Sequence, residues 1–126
     1  MSQLDDIRIV LANSVLESNT LHGVFAFLQE HTGKQVIITD YKGMIFDSEG
    51  IIREGIPDDH YIYIPNHKDI PAFFYDRSAR ILYYRVGPGE KDGFIILNDV
   101  DNEDCEKLRD ILADASLAVR TYLAQI

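Results

Sequence analysis

Between Tyr61 and Arg85 the chain gathers most of the side chains that could recognise a small molecule. Tyr61, Tyr63, Phe73, Phe74, Tyr75, Tyr83 and Tyr84 supply aromatic surface with a polar tip, and aromatic walls holding a few polar groups are what ligand pockets are commonly made of. Arg77, Arg80 and Arg85 stand out in an acidic chain, because a guanidinium at a pocket mouth can grip a carboxylate or phosphate through two parallel hydrogen bonds. The candidate ligand-binding set is therefore Tyr61, Tyr63, Phe73, Tyr75, Arg77, Tyr83 and Arg85. The same residues also suit a plainer arrangement, in which alternate tyrosines cover one face of a half-buried strand and the arginines pair with surplus carboxylates. Both readings stay open at this level.

Other chemistries find less support. His60 and His67, with Asp58, Asp59 and Asp69, offer mixed nitrogen and oxygen ligands, but their spacing matches no metal motif, and a haem-ligating histidine needs an apolar pocket. No metal or cofactor is expected. Cys105 is the single cysteine, so an internal disulfide, a zinc cluster of thiolates or a redox pair cannot form. It sits at a helix start whose dipole lowers a thiol pKa, yet Asp101, Glu103, Asp104 and Glu106 oppose the thiolate, which points to a buried structural residue. There is no Gly-x-Ser-x-Gly elbow and no Gly-x-x-x-x-Gly-Lys-Ser/Thr loop. Gly87-Pro88-Gly89 joins two strands and opens no helix, so its amides lack the dipole of a phosphate cradle. An enzyme would need His60, Asp69 and Arg77 to converge, which their spacing does not suggest, and none is expected.

The elements that position these residues follow from periodicity. Leu4, Ile7, Val10, Leu11 and Val15 recur at helical spacing and predict a helix over Ser2 to Leu16, with Asp5 and Asp6 in its first turn. Asn19 or Thr20 can cap a second helix carrying Leu21, Val24, Phe25 and Leu28, ending near His31 before Gly33. Val36 to Asp40, the turn Tyr41-Lys42-Gly43, and Met44 to Asp47 read as a β-hairpin. From Ser48 to Ala79 glycines and prolines break the pattern into short strands and irregular chain, the kind of stretch that more often binds than merely connects. Arg80 to Val86, a glycine-rich turn, and Phe94 to Leu97 form a second hairpin. After a cap at Asp101 or Asn102, the stripe Cys105, Leu108, Ile111, Leu112, Ala115, Ala118, Val119, Tyr122 and Leu123 predicts a long final helix. The expected core includes Val36, Ile38, Phe94, Ile96, Leu108, Ile111 and Leu112.

Length and 46% hydrophobic content suit one domain over residues 1–126, and the helical pattern still running at Ile126 leaves room for the natural polypeptide to continue. Twelve Lys and Arg against 21 Asp and Glu give a net charge of −9, which disfavours nucleic-acid binding by this segment. No run is apolar enough to span a membrane and no signal sequence begins at Met1, so a cytoplasmic location is expected.

The order helix, helix, hairpin, long loop, hairpin, long helix, with Val36-Ile37-Ile38-Thr39-Asp40-Tyr41-Lys42-Gly43 at the first turn, resembles GAF/PAS sensor domains. Within them the likeness is greatest to the amino-terminal sensory module of PucR-type bacterial transcriptional regulators, whose Asp-x-x-Gly turn Asp40 and Gly43 match; Leu82 to Val86, Gly93 to Leu97 and the acidic helix start at Asp101 resemble the closing hairpin and helix. The resemblance implies an α+β fold, with an antiparallel sheet, the first and last helices on one face, and a ligand beneath the Gly50 to Ala79 segment. It implies a regulatory domain that binds an unidentified small molecule and signals through its terminal helix, and a homodimer in which the final stripe, with Ile7 and Leu11, builds a four-helix bundle. The rival reading is a ligand-free interaction or dimerisation module.

Overall fold

The computed structural model describes residues 6–49, 73–89 and 92–125. The chain runs α1 (Ile7–Ser18), α2 (His22–Thr32), β1 (Val36–Thr39), β2 (Ile45–Phe46), β3 (Phe73–Asp76), β4 (Ile81–Arg85), β5 (Phe94–Leu97) and α3 (Cys105–Gln125), the last entered through a 3-10 turn at Asn102–Asp104. The five strands form one antiparallel sheet in the order β2-β1-β5-β4-β3, so the fold is α+β.

Local chemistry sets the joints. In the β1–β2 turn the Asp40 carboxylate accepts from the amides of Lys42 at 2.8 Å and Met44 at 3.0 Å, and Gly43 adopts φ 90°, where a side chain is strained. Beside β1, a Cβ at Gly93 would collide with the Thr39 carbonyl oxygen, so only glycine lets the chain enter β5 this close to its neighbour. In the β3–β4 turn Asp76 accepts from the amides of Ser78 and Ala79 and from the Ser78 hydroxyl. These bonds hold its carboxyl below the usual range, with the Ala79 amide contributing most.

Helix boundaries differ from expectation at the amino end. The first helix begins at Ile7 because Asp6 caps it, its side chain accepting from the Arg8 amide at 3.0 Å, and it runs on to Ser18; residues 1–5, with Leu4, lie outside the described residues. Asn19 does not cap α2 but ends α1, in left-handed conformation with its amide bonded to Val15 O. Leu21 occupies the position before α2 without a side-chain cap, although its own amide bonds Ser48 O at 2.9 Å. Gly33, at φ 66°, closes α2.

All three helices lie against one face of the sheet. Leu11 and Val15 of α1, Val24 and Leu28 of α2, and Leu108, Leu112 and Val119 of α3 share a buried core with Val36, Ile38, Leu82, Ile95 and Leu97. Each fully buried side chain of this kind contributes roughly 1.5 to 3 kcal/mol. Val36, Ile38, Phe94, Ile96, Leu108 and Leu112 are buried, whereas Ile111 is only half-buried. The α1 expectation is revised further: its inward side is Leu11, Ala12 and Val15, and Ile7 and Val10 are exposed at 37% and 42%. Among the described residues no helix is long and apolar enough to cross a membrane.

Candidate functional site

Strand alternation divides the candidate residues between two sides of the sheet. The register pairs Phe73 with Tyr84, Phe74 with Tyr83, Tyr75 with Leu82, Tyr83 with Ile96 and Arg85 with Phe94. Phe73, Tyr75 and Tyr84 pack with the helix-side core, while Phe74 and Tyr83 pack with Ile96 and Phe94 in a second cluster on the opposite side. Arg85 follows Tyr83 by two positions and shares that side, its guanidinium 5.8 Å from the centre of the Phe94 ring, close enough for a cation–π contact.

The candidate set is thus not one constellation. Tyr83 and Arg85 come together; Phe73 and Tyr75 lie across the sheet from them. Tyr75 has a structural partner, since its hydroxyl donates to Val100 O at 2.5 Å, and Phe73 lies under the Arg109 guanidinium at 5.5 Å. Arg77 is exposed in the β3–β4 turn and makes no ion pair with another described residue. Tyr61 and Tyr63 lie outside the described residues, as do His60, His67, Asp58, Asp59 and Asp69. Among the described residues no three His, Cys, Asp or Glu side chains gather as a metal cluster would require.

The side opposite the helices is apolar at its centre and polar at one edge. Phe94 and Ile96 are 1% and 0% exposed, Tyr83 is 5% exposed, and Phe74 leans on the Tyr83 ring at 5.7 Å between centroids. Buried Thr39, opposite Phe94 on β1, donates its hydroxyl to Asp40 O. The Tyr83 hydroxyl has no hydrogen-bond partner among the described residues. Burial pushes its pKa up, and the Asp76 charge adds to the effect.

Two grooves open on the helix side. One, of about 480 Å³, lies between the start of α1, the middle of α3 and β4, and is lined by Arg8, Ile9, Tyr84, Ser116, Leu117 and Arg120 among others. The second, of about 510 Å³, continues past Leu117 and Arg120 to Asp92 and Leu123. Sequence reasoning passed over Arg120, Ser116 and Leu117. The available signal was their position on α3 beside the apolar stripe, with a serine and an arginine four apart on one flank.

Cys105 is 8% exposed, with Sγ 3.7 Å from Asp101 O. Burial, then the Asp104 charge, raise its pKa, so it is an unreactive core thiol. In comparisons with known proteins, no family model, no curated protein and no solved structure matches the chain.

Proposed function

We propose that this chain is a ligand-sensing regulatory domain of the GAF/PAS kind, similar to the sensory module of a PucR-type bacterial transcriptional regulator. It acts in the cytoplasm by binding a small molecule and does no chemistry on it. The observation that carries the reading is the two-sided sheet. All three helices serve one face, while the other holds an apolar, aromatic surface with a phenolic donor at Tyr83 and a cation at Arg85. The strand order supports it as well, because β2 and β3 occupy opposite edges, roughly 19 Å apart at the usual strand spacing, and Tyr83 and Arg85 lie on β4, one strand in from the β3 edge.

Signalling follows by linkage. A ligand held by Arg85 lies on β4, which pairs with β5, and only seven residues separate β5 from α3. The ligand shifts α3, and any attached output domain, by no more than its differential affinity for the two arrangements. The acidic surface leaves DNA contact to another segment.

The test is a thermal-shift screen of the purified protein against amino acids, purines, carboxylates and nucleotides. A saturable upward shift that is lost in Tyr83→Phe and Arg85→Gln, and kept in Arg77→Gln, is expected. No shift from any compound, or only shifts indifferent to both of the first two variants, would falsify the reading.

A second reading, an interaction module without a ligand, is favoured by the surface of α1. Ile9 and Leu16 are 55% and 57% exposed, and Ile9 to Leu16 contains no charge. In a chain of net charge −9 such an uncharged stretch is where two copies approach with least repulsion, so the homodimer is proposed to form through the Leu16 end of α1. The α3 stripe first expected at that interface is consumed within the protomer: Leu112, Ala115, Ala118 and Val119 are all 0% exposed.

A further inference from the structure

We propose that the groove between α1, α3 and β4 is a second binding site, selective for a small carboxylate carrying a short apolar body. It is independent of the ligand proposed above, since Tyr84 lines this groove on the helix side and Tyr83 faces the other way.

The walls dictate the ligand class. A volume of about 480 Å³ falls within the usual size of small-molecule sites. Ile9 and Leu117, 55% and 40% exposed, supply an apolar rim, and Ala113 lies beside them. Against that rim stand two guanidinium groups that are not equivalent. Arg8 is held by Asp6 through hydrogen bonds of 2.6 to 3.2 Å, so its charge is already matched. Among the described residues Arg120 has only Asp92 at 3.7 Å, an ion pair too long to be a hydrogen bond, and the other Asp92 oxygen is taken by the Gly89 amide at 2.7 Å. The Arg120 donors are therefore unspent, and an ion pair of this length is weak competition for a carboxylate that can accept two bonds at once.

Tyr84 supplies a second donor. It is half-buried, and its hydroxyl has no hydrogen-bond partner among the described residues. The Ser116 hydroxyl donates to Ala113 O, which leaves it oxygen lone pairs and no free proton. The groove thus offers one guanidinium fork and one phenol to an anion, beside an apolar wall. A phosphate would satisfy the fork but leave the wall wet, and an alcohol would do the reverse. The protein's net negative charge repels either anion at long range, but salt screens that repulsion within about 10 Å, so the local donors decide.

Amide chemical-shift titration of the full chain tests this with three probes: hexanoate, hexanol and inorganic phosphate. Hexanoate is expected to give saturable shifts centred on Ile9, Ala113, Leu117 and Arg120, at least tenfold tighter than either control. Arg120→Gln should weaken it at least tenfold and Tyr84→Phe by a smaller factor, with the amide spectrum of each variant reporting that it is folded. Asp92→Asn, which releases Arg120, should tighten it. Tyr83→Phe should leave it unchanged, which separates this site from the opposite one. The proposal is overturned if hexanoate produces no saturable shifts at millimolar concentration, if hexanol or phosphate binds as well, or if folded Arg120→Gln binds as tightly as the native chain.

Discussion

Helices α1 and α3 lie side by side and use their apolar surface in opposite ways. On α3 the apolar residues form one stripe, and Cys105, Leu108, Leu112, Ala115, Ala118, Val119 and Tyr122 are all buried within the protomer; Leu117 is its one strongly exposed large apolar residue. On α1 the apolar residues run around the helix. Leu11, Ala12 and Val15 are buried while Ile7, Ile9, Val10 and Leu16 remain exposed. A stripe tells a helix which way to face; apolar surface on all sides implies a second partner. Thus α3 is explained by the fold of one chain, and α1 is only half explained by it.

The comparison breaks most visibly at Leu112. Leu112→Ala on α3 should cost about 2 to 5 kcal/mol in a urea melt, since it empties a fully buried site. Ala115→Leu should cost about 1 to 3 kcal/mol by forcing bulk into the close-packed middle of α3, and a neutral result would mean α1 yields to it. On the outer side of α1, Leu16→Glu should change protomer stability by no more than about 0.5 kcal/mol. Light scattering should nonetheless fall from two chains to one. A native protein already of single-chain mass would end the proposal of a dimer through α1. The smallest effect is expected from pH at Asp6, whose carboxyl is held below the ordinary value of about 3.9 by its hydrogen bonds to Arg8. A depressed folded-state pKa stabilises above the unfolded value and is lost as pH falls through the folded one, so α1 should loosen on acidification below about pH 4. Asp6→Asn, which keeps a capping oxygen, should flatten that dependence in a pH series of thermal melts.

Much of the fold was legible because particular residues leave the backbone few options. Asp40 and Gly43 specify a turn by hydrogen bonding and positive φ, Gly33 ends α2, and the unbroken spacing of α3 orients it. The inward side of α1 was not legible, because a sequence apolar all round gives periodicity nothing to choose between. The candidate site was half legible. Alternation within a strand puts Tyr83 and Arg85 on one side, but nothing in the sequence states the register that sets Phe74 beside Tyr83 and sends Phe73 and Tyr75 to the other. The groove at Arg120 was hidden for a related reason: it is made by three elements distant in sequence, and each residue alone reads as ordinary surface.

Val100 is held from two directions, its amide bonded to Arg80 O at 2.9 Å and its carbonyl to the Tyr75 hydroxyl. The Arg80 side chain reinforces this by reaching Asp99 at 2.7 Å and Asp101 on either side. The far edge of the sheet is therefore riveted to the chain just before α3, which fixes one end of a 21-residue rod about 31 Å long. Fastened there, α3 cannot slide along its axis without breaking these bonds, whereas a tilt of about 5° about the turn would carry its far end near Gln125 through roughly 3 Å. Small rearrangements beside the pivot would be read out, magnified, at the opposite end of the molecule.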